Sequence, residues 1–173
     1  NLKIAKIKSI SENKFCKEVW RSYGFFFAEF FYLNFFRKKS EHIEYKGLDI
    51  LRDINKNNKK VIFVSGHFAN FELMSMEIDK LGINLATIYR PLNNIFLNPL
   101  MEYLRKKYVC KNQIKKGVGG LKKIFKYLES NFSIALMIDQ RLSEGKKFKF
   151  FESDAYTTTL PYQLSKKFEI DIV

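Results

Sequence analysis

A histidine and a glutamate stand five positions apart where the sequence changes from a strand pattern to a helix pattern. Residues 61–64 form an apolar, mostly β-branched run, and a Ser-Gly break follows it. His67 then precedes the predicted helix and Glu72 falls in its first turn, so we expect the two side chains to meet. A carboxylate that orients an imidazole is the base arrangement of hydrolases and transferases. The alternative is a capping or packing pair without a chemical role.

Other polar residues follow two further predicted strands. Residues 85–89 form an apolar run that ends before Arg90-Pro91, and residues 132–138 form another that ends before Asp139-Gln140. The carboxyl ends of parallel strands meet at one edge of a sheet, where ligands bind in α/β folds. We therefore expect Arg90, Asp139 and Gln140 to bind substrate beside His67. Arg90 suits a phosphate or a carboxylate because its planar fork binds both bidentately; a surface salt bridge is the alternative.

The order of these patterns predicts an α/β fold with a central, mostly parallel sheet flanked by helices. We expect two parts, an N-terminal helical segment over residues 1–45 and an α/β core over residues 46–173. The pattern of the N-terminal segment predicts a helix over residues 1–38, with ten aromatic or leucine side chains from position 23 to position 36. Such a helix packs in the core or lies in a lipid interface. We expect further shorter elements, a strand at 43–46 and a helix that Asn70 caps.

The charge of the chain favours a polyanionic partner. Its formal net charge is +13, and residues 105–126 contain eight lysines but no acidic side chain. Nucleic acid, an anionic membrane surface and a phosphorylated or acyl-carrier substrate all fit this balance. The Gly-rich turn at 117–120 matches neither the dinucleotide nor the P-loop pattern. A non-catalytic membrane- or nucleic-acid-binding protein is an alternative, although the aromatic stacking motifs of RNA-binding domains are missing.

Cys16 and Cys110 stand far apart without metal-like neighbours, which favours a reducing compartment. No apolar run in the sequence is long enough to span a bilayer.

Four short blocks resemble those of the bacterial lipid A biosynthesis acyltransferases, relatives of the glycerolipid acyltransferases. Residues 65–73, SGHFANFEL, resemble the family's GHFGNWEL block, and 88–94, IYRPLNN, resemble YRPLKN. Residues 137–140, MIDQ, resemble the DQ block, and 150–159, FFESDAYTTT, are similar to FFG-x-x-A-x-T-T. Three positions depart from these patterns: Ala69 stands where Gly is usual, Phe71 where Trp is usual, and Glu152 where Gly is usual.

The resemblance implies transfer of a fatty acyl chain from an acyl carrier protein to a hydroxyl of a lipid A precursor. It places this reaction at the cytoplasmic face of the inner membrane and requires no metal, nucleotide or nucleic acid. His67 and Glu72 would form an HX4E dyad, with His67 as general base. Arg90 would hold a phosphate or carboxylate, or help the oxyanion, while Asp139 and Gln140 would shape the cleft. A lysophospholipid or another membrane lipid is the alternative acceptor. Because the family has further segments at both ends, we also expect the chain to be truncated.

Overall fold

The fold is built on a parallel four-stranded sheet. The computed structural model of the protein describes residues 11–142, 145–151 and 153–173. The strands are β1 (Ile62–Ser65), β2 (Leu85–Tyr89), β3 (Asn112–Lys115) and β4 (Ser133–Met137), and their order in the sheet is β1-β4-β2-β3. Every neighbouring pair is parallel. The predicted α/β fold with a parallel sheet flanked by helices is therefore confirmed.

Seven helices and one antiparallel hairpin complete the described part of the chain. The helices are α1 (Glu12–Phe30), α2 (Leu33–Lys38), α3 (Leu48–Lys56), α4 (Glu72–Lys80), α5 (Leu97–Leu104), α6 (Val118–Glu129) and α7 (Leu160–Phe168). A π-helical turn, Arg105–Val109, continues α5. The hairpin pairs β5 (Lys146–Phe150) with β6 (Ser153–Thr157).

Two apolar clusters cover the two faces of the sheet. Successive side chains of a strand point to opposite faces, and neighbouring residues of β1 accordingly divide between the clusters. Phe63 packs with Phe30, Leu33 and Met76 of α1, α2 and α4. Ile62 packs in the other cluster, whose helical members come from α6 and α7. The sheet is thus the middle of three layers, which explains why its central strands are almost continuously apolar.

The N-terminal helices contribute to the core on one side and expose aromatic rings on the other. Phe30 and Leu33 are completely buried, whereas Trp20, Phe31 and Tyr32 are mostly exposed. The interpretation as a helix that packs in the core is therefore confirmed for one face, and contact of the exposed rings with lipid stays a prediction. Residues 1–10 of the predicted helix lie outside the described residues, and the predicted boundary at residue 45 stays a prediction.

Some expectations about shorter elements are wrong. Residues 43–46 are not a strand, because Tyr45 turns its hydroxyl to the Glu77 carboxylate on α4 instead of joining a sheet edge. The sequence did not indicate β3, a polar edge strand with the sequence NQIK. Near residue 173, Ile172 forms a parallel bridge with Ile62 of β1.

Candidate active site

His67 and Asp139 meet because two neighbouring strands end level with each other. Ser65 of β1 pairs with Met137 of β4, and His67 and Asp139 each follow that pair by two residues. The imidazole Nδ1 of His67 lies 2.7 Å from Oδ1 of Asp139. The backbone N–H of His67 donates to Oδ2 at 2.8 Å. One carboxylate therefore holds both the ring and the main chain of the histidine.

The environment of Asp139 favours its ionised form. Partial burial raises the pKa of Asp139, but the backbone N–H and the imidazole of His67 together lower it more, so the net pKa falls below the ordinary value. An ionised carboxylate only accepts hydrogen bonds, which places the neutral imidazole's proton on Nδ1. The other ring nitrogen, Nε2, then has a lone pair available as a base.

Glu72 is engaged with a buried arginine. Its Oε1 accepts a hydrogen bond from Nε of Arg105 at 2.7 Å and forms an ion pair with Nη2 at 2.6 Å. The two residues are only 7% and 8% exposed, so the pair lies in the interior. The arginine also lies over the rings of Phe30 and Tyr89, at 5.6 and 5.7 Å from their centroids. Its Nη1 has no hydrogen-bond partner among the described residues.

The expected contact between His67 and Glu72 is not among the hydrogen bonds of the described residues. His67 is hydrogen-bonded to Asp139, and Glu72 is paired with Arg105, although both His67 and Glu72 line one cavity. The catalytic role of Glu72 stays a prediction. The sequence analysis missed Arg105 because it stands first in a lysine-rich span, where nothing distinguishes a buried cation from solvated ones.

The loop between β1 and α4 has a strained residue and a side chain bonded to α1. Ala69 has φ +43°, in the left-handed region that favours glycine, which explains why glycine is usual at this position in the family that the sequence resembles. Asn70 does not cap α4: the residue before the helix is Phe71, and the Asn70 amide donates to Oε2 of Glu29 on α1 at 3.0 Å. Glu152, another departure from the family blocks, lies outside the described residues.

A large cavity opens beside His67. Its volume is about 1150 Å³. Its walls are largely apolar and aromatic, and they include Phe26, Phe27, Phe71, Met101, Leu136 and Leu160. The predicted site residues His67, Glu72, Arg90 and Gln140 also line it, and Asp139 holds His67 in place there. An apolar cavity with a histidine base in its wall can hold a long alkyl chain beside a group that accepts a proton.

A smaller cavity of about 500 Å³ adjoins the side of Arg90. Arg90 and Lys116 line both cavities, and Gly117 at the start of α6 lines the smaller one. Both cations are exposed. They give the cavity mouth a positive charge that suits an anionic group on a substrate.

Tyr89, in the wall of the large cavity, remains a neutral phenol at neutral pH. Burial and a hydrogen bond with Glu102 raise the pKa of Tyr89 to about 12. Tyr89 can therefore donate a hydrogen bond but cannot serve as a base.

Among the described residues, no three His, Cys, Asp or Glu side chains are grouped so that they could hold a metal ion.

Comparison with known proteins assigns the chain to a family. No curated protein matches it significantly. The model of the bacterial lipid A biosynthesis acyltransferase family matches residues 8–173, nearly the whole chain. The matched region contains the sheet, the His67–Asp139 pair and the apolar cavity. The chain therefore belongs to the bacterial lipid A biosynthesis acyltransferases, a family whose activity is acyl transfer in lipid A biosynthesis.

Proposed function

We propose that this protein transfers a fatty acyl chain from an acyl carrier protein thioester to a hydroxyl of a lipid A precursor. The observation that carries the proposal is the His67–Asp139 pair at the wall of the large apolar cavity. The cavity fits an alkyl chain, and the imidazole fits the proton transfer that a hydroxyl nucleophile needs.

The proposed reaction begins when Nε2 of His67 takes the proton of the acceptor hydroxyl. The oxygen then attacks the thioester carbonyl carbon, and a tetrahedral intermediate forms. Its collapse breaks the carbon–sulfur bond, and the proton on His67 passes to the departing sulfur. The products are an ester and a free thiol. Asp139 keeps the proton on Nδ1 and stabilises the imidazolium that forms during the step.

The geometry favours Asp139 rather than Glu72 as the residue that orients the base. The His67–Glu72 dyad of the sequence prediction places Glu72 on the imidazole, whereas the Glu72 carboxylate lies on Arg105. We propose that Glu72 acts through Arg105, by fixing the beginning of α4 and with it the loop that carries His67. Both contacts with Arg105 use Oε1 of Glu72, and a buried cation is costly to leave unpaired, which favours a supporting role for this carboxylate.

Polar residues at the cavity mouth are proposed to hold the headgroup of the lipid. Arg90 and Lys116 are exposed cations that suit a phosphate or carboxylate of the acceptor. Gln140 follows Asp139 and lines the same cavity, where its amide can donate to and accept from a polar headgroup. The net charge of +13 fits both an acidic carrier protein and an anionic lipid.

We further propose that the protein works at the cytoplasmic face of the inner membrane. No helix in the described ranges is long and apolar enough to cross a bilayer. The exposed rings of Trp20, Phe31 and Tyr32 are suited to a membrane interface, where amphipathic aromatic side chains prefer to lie. Binding to vesicles that contain anionic lipid, compared with neutral vesicles, tests this placement; equal and negligible binding to both would contradict it.

The function is tested by incubating the protein with a lipid A precursor and an acyl carrier protein thioester whose acyl chain is radiolabelled. We expect labelled, acylated lipid with the wild type and a loss of about 10²–10⁴-fold with His67→Ala. His42→Ala is the matched control, because His42 is the second of the two histidines and packs on Phe36. A parallel reaction with a lysophospholipid identifies the acceptor. If neither lipid is acylated, or if His67→Ala is as active as wild type, the proposal fails.

A further inference from the structure

The imidazole of His67 has a second neighbour besides Asp139. The ring of Phe71 lies edge-to-face against it, with centroids 4.6 Å apart and an interplanar angle of 74°. Phe71 also stacks on the ring of Phe26 of α1, with centroids 4.9 Å apart and an interplanar angle of 17°. Phe71 thus lies between the histidine and the N-terminal helix.

The contacts continue from Phe26 back to the loop that carries His67. Phe26 meets Phe30 at 5.9 Å, and Phe30 is completely buried. The guanidinium of Arg105 lies over Phe30, and Arg105 binds Glu72, the residue that follows Phe71. These contacts form a closed circuit in which α1 and the β1–α4 loop hold each other.

A second contact joins the same two segments. Asn70 donates to Glu29 on α1, one turn from Phe26. Ala69 lies between His67 and Asn70 in the loop. Its positive φ is unfavourable and persists only where surrounding contacts hold it. The circuit of contacts and the Asn70–Glu29 hydrogen bond hold the loop in this conformation on the side that faces α1.

Asp139 alone does not fix the direction of Nε2. Its hydrogen bond holds the Nδ1 edge of the ring, but the ring can still tilt about that bond. The imidazole is 30% exposed, so packing restrains it only in part. A base must be held within about 0.5 Å of its productive position. The ring of Phe71, 4.6 Å from the imidazole, lies where it can restrain the tilt that Asp139 leaves free.

We propose that Phe71 and Phe26 are positioning residues for His67, so that helix α1 is part of the catalytic arrangement. The inference rests on the proposed role of His67 as general base. Phe71 acts on the imidazole by direct ring contact, and Phe26 acts through Phe71. Helix α1 therefore has a function in addition to any contact with lipid that its exposed rings make.

The test uses Phe26→Leu and Phe71→Leu, which keep an apolar side chain but remove the ring. We expect kcat at saturating substrate to fall between about 10- and 100-fold in each, because small displacements of a reacting group have effects of that size. Phe71→Trp restores an aromatic ring and should recover kcat relative to Phe71→Leu. Phe125→Leu is the control, because it breaks a comparable ring pair with Phe168 at 5.6 Å on the opposite face of the sheet.

A spectroscopic measurement separates positioning from activity. In a His42→Gln background, His67 is the single histidine, and its imidazole signals can be followed by NMR. We expect one narrow set of signals in the parent protein and in Phe125→Leu. Broadened or split signals are expected in Phe26→Leu, because the ring then samples several orientations.

The inference is overturned if Phe26→Leu and Phe71→Leu keep both the parent kcat and a single narrow set of His67 signals. A rise in KM alone, without loss of kcat, also overturns it, since Phe26 and Phe71 would then act only as cavity walls. If even the parent protein transfers no acyl group, the proposed function fails, and the imidazole signals still decide the positioning role.

Discussion

Oδ1 of Asp139 lies 2.7 Å from Nδ1 of His67, although the two residues are 72 positions apart in the chain. The contact follows from the sheet, because the strands that precede these residues are hydrogen-bonded neighbours in register. It joins an acceptor-only carboxylate to the ring of a potential base, at the edge of an apolar cavity.

The hydrogen bonds between Asp139 and His67 should make the stability of the protein depend on pH in the acid range. The pKa of Asp139 is lowered in the folded protein, whereas an unfolded Asp carboxyl titrates near 3.8. The unfolded state therefore takes up its proton first as the pH falls, and the free energy of unfolding decreases through the folded-state pKa. Urea denaturation between about pH 2 and pH 6 should show a steeper loss of stability for the wild type than for Asp139→Asn. Parallel pH curves for the two proteins would contradict the hydrogen bonding described for Asp139.

The Glu72–Arg105 pair should matter for stability. Glu72→Gln leaves a buried guanidinium without a counter-charge, and we expect the free energy of unfolding to fall by about 3–5 kcal/mol. The double variant Glu72→Leu/Arg105→Met removes both charges and should recover most of that loss. Asp53→Asn, which breaks the exposed pair with Lys59, is the control and should have little effect. A Glu72→Gln protein as stable as the control would show that the pair is not buried as described.

The sequence was sufficient to place β1, β2 and β4 but not to pair the polar residues that follow them. The apolar runs that became β1, β2 and β4 predicted that His67, Arg90 and Asp139 lie at one edge of a sheet. Sequence proximity then favoured Glu72 as the partner of His67. The choice of Asp139 depends on the register between β1 and β4, which the intervening 70 or so residues do not reveal.

Other features were hidden for different physical reasons. β3 is a polar edge strand, so it lacks the continuous apolar run of a buried strand. Arg105 is buried by its contacts with Glu72 and two aromatic rings, which come from three other parts of the chain. Such residues can be identified only when their partners in the fold are known.

Ala69 should respond to substitution according to its backbone angle. Its φ of +43° is accessible to glycine without steric cost, so Ala69→Gly should fold normally. A β-branched side chain is strained there, and Ala69→Val should lose at least about 1–2 kcal/mol of stability. Thermal unfolding of the two variants checks this prediction. If Ala69→Val is as stable as Ala69→Gly, the loop does not have the described conformation.

The two cysteines should differ in reactivity. Cys16 is exposed on α1, whereas Cys110 is buried. Burial raises the pKa of the Cys110 thiol to about 12, so almost none of it is thiolate at neutral pH. Iodoacetamide should therefore modify Cys16 in the native protein and both cysteines in urea, as peptide mass spectrometry would show. Equal modification of both residues in the native protein would contradict the packing around Cys110.

The central claim is that Asp139 orients His67 as the base of acyl transfer, while Glu72 supports the site through Arg105. The direct test compares kcat for acyl transfer in Asp139→Asn and in the folded double variant Glu72→Leu/Arg105→Met. We predict a loss of about 10²–10⁴-fold for Asp139→Asn with its fold intact, and a smaller loss for the double variant. Wild-type kcat in Asp139→Asn, with a loss in the double variant equal to that of His67→Ala, would contradict the claim and return the role to Glu72.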